Sequence, residues 1–129
     1  MSTTVLALTN SLDESAGAVL AHLDAMGIAQ YRFDTDKLHD GVRISMRHNG
    51  ARTSALIWDS TKNCCVRSEE IGAVWHRRPQ PHFRRHKFTE GVSNFIGKET
   101  SAALHSLYST LDHAKWMNPL AAAGVKVFL

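Results

Sequence analysis

The first part of the chain alternates short apolar runs with an amphipathic stretch, and this order predicts a strand, a helix and a second strand. Residues 5–8 are continuously apolar, which is typical of a strand buried on both faces of a parallel sheet. Apolar residues then recur at helical spacing over residues 14–26, with Asp13 or Ser11 as the N-cap and Gly27 as the stop. We expect this helix to pack on the sheet through the following apolar residues: Ala16, Val19, Leu20, Leu23 and Met26.

The next apolar run, residues 28–33, completes a βαβ unit. The crossover between two such strands is right-handed in nearly all sheets, so the unit indicates a Rossmann-like sheet. Farther along, residues 42–47 and 54–58 alternate apolar and polar side chains, as half-buried strands do. Between them, Asn49 and Gly50 form a pair typical of a type I′ turn, so a β-hairpin is predicted.

Two further short strands, residues 73–75 and 115–117, flank the longest predicted helix, residues 90–111. No repeat, low-complexity tract or linker rich in Gly or Ser divides the chain. We therefore predict a single domain over residues 1–129, an α/β fold with a mostly parallel Rossmann-like sheet, a β-hairpin and flanking helices. The apolar stripe of the long helix comprises Val92, Phe95, Ile96, Ala103, Leu104, Leu107, Tyr108 and Leu111.

Composition limits the cellular context and the classes of partner. The chain has 129 residues, and 43% of them are hydrophobic, which is ordinary for a globular domain. Its two cysteines, Cys64 and Cys65, are adjacent and cannot bridge distant segments. The features of a signal peptide are missing, and no run approaches the roughly 18 apolar residues of a membrane span. We expect a soluble cytoplasmic protein. A net charge of only +3, without an RNA- or DNA-binding motif, disfavours nucleic acid as the partner.

No complete catalytic motif is found along the chain. The turn after the first strand, residues 9–13, contains no glycine and therefore lacks the fingerprint of dinucleotide binding. The eight histidines are scattered, without a partner at the spacing of a metal site, and we interpret them as surface or loop residues. The sequence predicts neither a catalytic residue nor a metal site.

Polar residues follow the first two strands, at the edge where open α/β sheets bind ligands. Asp34 and Asp36 could hold Mg²⁺ or a ribose, although capping of the following segment is favoured. Asn10 could contact a ligand or satisfy the backbone of its own turn, and the turn is favoured.

Trp75, Arg77 and Arg78 place two guanidinium groups beside an aromatic ring at the end of a strand. Arginine binds carboxylates and phosphates through paired hydrogen bonds, so one interpretation is an anionic partner. The alternative is structural: one arginine pairs with Asp34, Asp36 or a glutamate, while Trp75 packs in the core.

Four blocks occur in a characteristic order: residues 6–10 (LALTN), 31–36 (YRFDTD), 74–79 (VWHRRP) and 115–119 (KWMNP). Together they resemble the N-terminal pre-ATP-grasp domain of the MvdD-like, microviridin-type ATP-grasp peptide ligases, which macrocyclise graspetide precursors. The resemblance covers nearly the whole chain.

The resemblance implies a role in the biosynthesis of ribosomal peptides (RiPPs). Ligases of this family phosphorylate an acidic side chain with ATP and Mg²⁺, then join it to Ser, Thr or Lys as an ω-ester or ω-amide. Their ATP and Mg²⁺ sites lie in ATP-grasp domains that would follow Asn118 and Pro119, so no catalytic residue is carried over. The resemblance thus implies an accessory domain that is inactive alone.

The apolar, uncapped end at Leu129 indicates a chain that once continued.

The family's WxRRP block makes Arg77 and Arg78 the candidates for contacting an acidic precursor peptide or the ATP-grasp domains, in cis or in trans. Asn118 matches the block that ends the domain, where a turn and a ligand contact both remain open. The expected role is interdomain packing and substrate positioning, and a homo-oligomer is left open. The alternative function is a stand-alone peptide- or protein-binding module that uses the Arg77 and Arg78 loop.

Overall fold

The computed structural model describes residues 3–38, 40–77 and 89–117. The strands and helices of these ranges follow in the order β1 (Thr4–Thr9), α1 (Glu14–Ala25), β2 (Gln30–Asp34), β3 (Val42–Asn49), β4 (Arg52–Asp59), β5 (Cys64–Arg67), β6 (Ile71–His76), α2 (Glu90–Ser109) and β7 (Lys115–Met117). Short 3₁₀ turns follow β2 and β5. The predicted α/β class is confirmed.

β1 lies at the centre of a parallel sheet with the strand order β2-β1-β6-β7. Val5 of β1 is opposite both Gln30 of β2 and Ala73 of β6. Leu6 and Leu8 are completely buried, as expected of a strand covered on both faces. The predicted βαβ unit and the strands at residues 73–75 and 115–117 therefore belong to one sheet.

α1 begins and ends where the sequence predicted, but fewer of its apolar residues are buried. Gly27 has a φ of 79°, the left-handed conformation that closes a helix. The Ile28 backbone N–H still bonds to the Leu23 carbonyl within this helix end, so β2 begins at residue 30 rather than 28. Val19 and Met26 were predicted to pack on the sheet, and both are exposed. The residues that α1 does bury, Ala16 and Leu20, belong to the predicted set and lie four residues apart on one face.

β3, β4 and β5 form a separate antiparallel sheet. The hairpin between β3 and β4 is confirmed, but Asn49 pairs with Arg52, so the turn consists of Gly50 and Ala51. Only Gly50 has a positive φ, 63°, and a positive φ at the first turn position alone fits type II′ rather than the predicted type I′. Sequence patterns did not predict β5, a four-residue strand that forms by pairing with β4.

α2 connects β6 to β7 and is longer than the strands that it joins. Its 20 residues span about 30 Å, whereas the six residues of β6 span about 20 Å. Leu104 and Leu107 are buried in its second half, and Leu111 is buried just after the helix. Val92 and Phe95, predicted to join the same apolar stripe, are exposed in its first two turns.

One hydrophobic core joins the two sheets, with Phe33 of β2 and Ile57 of β4 among its members. The Tyr31 hydroxyl donates a hydrogen bond of 3.4 Å to the Cys64 carbonyl oxygen, which links β2 to β5. Within the ranges that the structure describes, neither helix has the length and apolar character needed to cross a membrane.

Candidate functional site at the carboxyl edge of the parallel sheet

The carboxyl ends of β1, β2 and β6 meet at one edge because these strands are parallel. Asn10, Asp34, Asp36 and Arg77, the predicted polar residues that the structure describes, lie there, along with several that were not predicted. We call this group the carboxyl-edge cluster: Thr9, Asn10, Ser11, Asp13, Arg32, Asp34, Asp36 and Arg77.

Asp13 is the most connected member of the cluster. Its Oδ1 accepts a hydrogen bond from the backbone N–H of Ala16 at 3.1 Å, which caps α1. Its Oδ2 accepts bonds from the Thr9 hydroxyl at 2.6 Å and from Arg77 Nε at 3.2 Å. One carboxylate therefore ties together β1, α1 and the residue that follows β6.

The environment of Asp13 favours the ionised carboxylate. Burial by itself raises the pKa of Asp13, but the bonds from Thr9 and Ala16 and the charge of Arg77 act in the opposite direction. The net effect is a pKa below the ordinary value for an aspartate. Asp13 therefore stays charged and paired at neutral pH.

Arg77 is held in place by its backbone and its side chain. Its N–H bonds to the Leu8 carbonyl at 2.9 Å, which continues the β1–β6 ladder, and its guanidinium carbon lies 5.9 Å from the Trp75 ring centroid. The structural alternative named Asp34, Asp36 or a glutamate as the internal partner, and the partner is Asp13. The strand order explains the difference, because β6 adjoins β1 while Asp34 and Asp36 belong to the far side of β1.

Trp75 is half-buried rather than fully packed in the core. Asp13 accepts the hydrogen bond of Arg77 Nε. Among the described residues, no acceptor binds the two terminal nitrogens of the same guanidinium group. That end of the guanidinium is chemically suited to a carboxylate or a phosphate. A contact of Arg77 with substrate or another domain stays a prediction.

Arg32 organises the other half of the cluster, and sequence reasoning did not select it. Its Nε donates to Asp34 Oδ1 at 2.8 Å, while Nη2 donates to the backbone oxygens of Asn10 and Asp13 at 2.8 and 3.0 Å. The available signal was the alternation of β2, which places Arg32 and Asp34 on one face. Helix α1 covers that face closely, because a Cβ added at Gly17 would lie 3.2 Å from Arg32 Nη1.

The remaining polar candidates bond to neighbouring loops. Asp34 pairs with Arg32 and makes no side-chain bond to the 3₁₀ turn that follows it, so it is not a cap. Asp36 accepts bonds from both the backbone N–H, at 2.9 Å, and the hydroxyl of Ser11. Asn10 Oδ1 accepts from the Leu12 N–H at 3.0 Å, the favoured turn role. Ligand contacts by these residues stay predictions.

In the described part of the chain, no group of three or more His, Cys, Asp or Glu side chains is arranged so that it could hold a metal ion. His76, which was expected on the surface or in a loop like the other histidines, is only 8% exposed. It lies at the end of β6, between two neighbouring strands, and its ring centroid is 6.4 Å from that of Trp116. Arg78 and Asn118 lie outside the described residues.

Exposed apolar side chains accompany the cluster. Leu12, at the tip of the β1–α1 loop, is 87% exposed even though Asn10 and Asp13 fix the backbone on either side. Because α2 joins two parallel strands, it begins at the carboxyl edge, and Val92 and Phe95 are therefore at this edge. Met117, the last residue of β7, is exposed there as well.

Comparisons with known proteins agree with this architecture. The solved macrocyclase MdnC of Microcystis aeruginosa MRC, bound with precursor peptide MdnA, is 27% identical with a TM-score of 0.79. MdnB of the same organism is 24% identical with a TM-score of 0.82. Each comparison covers 92% of this chain and 38% of the macrocyclase.

A RiPP-associated ATP-grasp ligase of Chryseobacterium gregarium, in complex with ADP and a leader and core peptide, has the same fold at 18% identity. Its TM-score is 0.73, over 88% of this chain and 34% of that ligase. The chain thus spans well under half the length of these ligases. No curated protein matches it. The family model of the MvdD pre-ATP grasp domain matches residues 4–124, which confirms the resemblance: the chain belongs to this family.

Proposed function

We propose that this chain acts as the N-terminal accessory domain of an ATP-grasp ligase that macrocyclises ribosomal peptides through ω-ester or ω-amide bonds. It packs against ATP-grasp domains and helps to position an acidic precursor peptide, and it catalyses no step alone. Family membership supports this role, as does the presence of precursor peptide in the solved complex of MdnC.

In the proposed reaction, ATP phosphorylates a carboxyl group of the peptide to give an acyl phosphate and ADP. A hydroxyl of Ser or Thr, or the amine of Lys, then attacks the carbonyl carbon and expels phosphate, so the peptide loses one water per ring. The described carboxylates of the carboxyl-edge cluster are already bonded to Arg32, Ser11 and Arg77. We therefore assign ATP and Mg²⁺ to the ATP-grasp domains.

One observation carries the packing role: most of the large apolar side chains that are exposed in the described residues occur toward the carboxyl edge. Of the seven large apolar side chains that are exposed in the described residues, Leu12, Val92, Phe95 and Met117 are at this edge. The carboxyl ends of the strands are where open α/β sheets meet ligands. Apolar side chains beside the fixed charges of Asp13 and Arg77 suit an interface with both apolar and polar contacts.

The proposal is tested by determining the coding sequence that follows codon 129 and producing the ATP-grasp domains that it encodes. We expect these domains to bind this chain, and the mixture to restore ring formation, detected by mass spectrometry as loss of water from the precursor peptide.

The double variant Leu12→Gln, Phe95→Gln should weaken this binding about tenfold, because two apolar contacts are lost. The matched control is Val19→Gln, Met26→Gln, which alters one exposed apolar residue of α1 and one directly after it. Equal effects of the two double variants would contradict docking at the carboxyl edge. A downstream sequence without ATP-grasp domains would contradict the proposed function itself.

A further inference from the structure

The antiparallel sheet has one face toward the core and one toward solvent. Val42, Ile57 and Val66 are buried on the core face. On the solvent face, the register of β3, β4 and β5 aligns side chains in four successive rows: Arg43, Trp58 and Cys65; Ser45, Leu56 and Arg67; Arg47 and Ser54; Asn49 and Arg52.

Each of these rows contains one arginine, and all four arginines are exposed. Rows on one face of a strand repeat every second residue, at about 7 Å. No Asp or Glu occupies a row, and among the described residues none of the four guanidinium groups forms an ion pair. We call this surface the arginine face, defined by Arg43, Arg47, Arg52 and Arg67.

Glu69 lies at the border of the arginine face, close enough to feel the charges of two of its arginines. The pKa of Glu69 is lowered, first by the hydrogen bond from the Ser68 hydroxyl and further by the charges of Arg67 and Arg52. Two open cavities of about 470 and 330 Å³ adjoin the face, and both are lined by Arg47, Ser54 and Glu69. The face therefore combines positive charge with recesses that can admit side chains.

The face also has an apolar portion. Trp58 is 44% exposed, and Leu56, in the adjacent row, is half-buried. Apolar contact area between fixed charges is typical of surfaces that bind polypeptide, where the charges select the partner and the apolar groups add affinity.

We propose that the arginine face binds an acidic polypeptide segment in an extended conformation, with carboxylates at alternate residues. Side chains on one side of an extended segment also repeat at about 7 Å, so successive carboxylates come level with successive rows, whose arginines stand on β3, β5, β3 and β4 in turn. Each guanidinium can bind a carboxylate through two parallel hydrogen bonds. This surface belongs to the antiparallel sheet and is separate from the carboxyl-edge cluster, and the inference does not depend on the proposed ligase function.

Charge and shape favour this occupant over two others. A second copy of the chain docked face to face would bring arginines against arginines, which is repulsive. Single-stranded nucleic acid is bound through successive aromatic platforms, whereas the rows offer only Trp58.

Binding is measured with the 129-residue chain by fluorescence anisotropy of two labelled peptides of equal composition. One alternates Glu and Thr, and the other groups its Glu residues in one block. We expect the alternating peptide to bind several-fold more tightly, and added salt to weaken its binding.

The double variant Arg43→Gln, Arg47→Gln should weaken binding of the alternating peptide about fivefold, as expected for two exposed ion pairs. Lys98→Gln, Lys115→Gln removes the same charge from exposed positions of α2 and β7 and should change affinity less than about twofold. Thermal unfolding checks that both variants fold, and Arg67→Gln replaces the double variant if it does not.

Three outcomes would overturn the proposal. Equal weakening by the two double variants would indicate general attraction to a basic protein rather than a site. Equal affinity for the two peptides would exclude a match between carboxylates and rows. Tighter binding of an oligothymidylate with the same charge as the peptide would make the face a nucleic-acid surface.

Discussion

Asp13 illustrates which contacts of a residue can be inferred from sequence. Its capping bond to Ala16 is local, three residues along the chain, and the sequence named Asp13 as one of two candidate caps, the other being Ser11. Its bond to Arg77 spans 64 residues and depends on β6 lying beside β1, which no local pattern encodes. The same is true of Arg32, whose partners include backbone groups 19 and 22 residues away.

Replacing Asp13 tests how much this connection stabilises the fold. Asp13→Ala removes the cap, the Thr9 bond and the partner of Arg77, and should lower the free energy of unfolding by about 2 kcal/mol. Asp13→Asn should cost about 1 kcal/mol, because asparagine retains the cap. Asp24→Ala, an exposed change in the same helix, should stay within about 0.5 kcal/mol. Urea unfolding measures all three, and similar values would argue against the role of Asp13.

The lowered pKa of Asp13 also predicts a pH dependence. A carboxyl group whose pKa is lower in the folded than in the unfolded state stabilises the fold above its ordinary pKa. This contribution is lost as the pH falls through the folded value. The difference in unfolding free energy between wild type and Asp13→Asn should be complete at neutral pH and shrink below about pH 4. Urea titrations across the acid range measure it, and a constant difference would refute the prediction.

Helices and strands with strong local signals were predicted well from the sequence. Asp13, one of the two predicted caps, caps α1, and residues 6–8 of the first apolar run are completely buried in β1. β5 was missed because a strand of four residues, two of them adjacent cysteines, has no alternation long enough to recognise. The exposure of Val19, Met26, Val92 and Phe95 was not predicted. Helical periodicity shows that an apolar stripe exists, but not how much of that stripe the sheet covers.

Two glycines allow backbone conformation to be separated from packing. A Cβ at Gly27 or at Gly91 would meet none of the described atoms within 4 Å, but Gly27 has a φ of 79° and ends α1, whereas Gly91 lies in the first turn of α2. Gly27→Ala should therefore destabilise the chain by about 1 kcal/mol. Gly91→Ala should stabilise it by about 0.5–1 kcal/mol through helix propensity. Thermal and urea unfolding give both values, and the same sign for both would contradict this explanation.

The strand order β2-β1-β6-β7 is the feature of the whole molecule that sequence patterns did not supply. Local signals predicted parallel strands and a hairpin, but not that β3–β5 form a sheet of their own. The family resemblance indicated Arg77 as a candidate, whereas its pairing with Asp13 required the three-dimensional arrangement. The motif was thus enough to indicate Arg77 as a site residue, whereas its bonding partner could be identified only from the three-dimensional structure.

Alkaline titration tests the packing that joins the two sheets. The chain has two tyrosines: burial raises the pKa of Tyr108 to about 12, and burial, with the neighbouring Cys64, raises that of Tyr31 still further. Unfolded phenols ionise near pH 10. A raised folded pKa means that stability falls as the pH rises above about 10. Phenolate absorbance should therefore appear together with loss of circular dichroism. If the phenols of Tyr31 and Tyr108 ionised near pH 10 while the chain stayed folded, the prediction would be wrong.

The central position of β1 affects how the chain reaches its native state. Val5 pairs with Gln30 through a short crossover, but with Ala73 only after the whole antiparallel sheet has intervened. Contacts between distant residues form later because closing a longer loop restricts the chain more. We expect the β1–β6 pairing to be the slow step of refolding. Until it forms, the apolar strand β1 has an open edge, and this intermediate is the species most prone to aggregate.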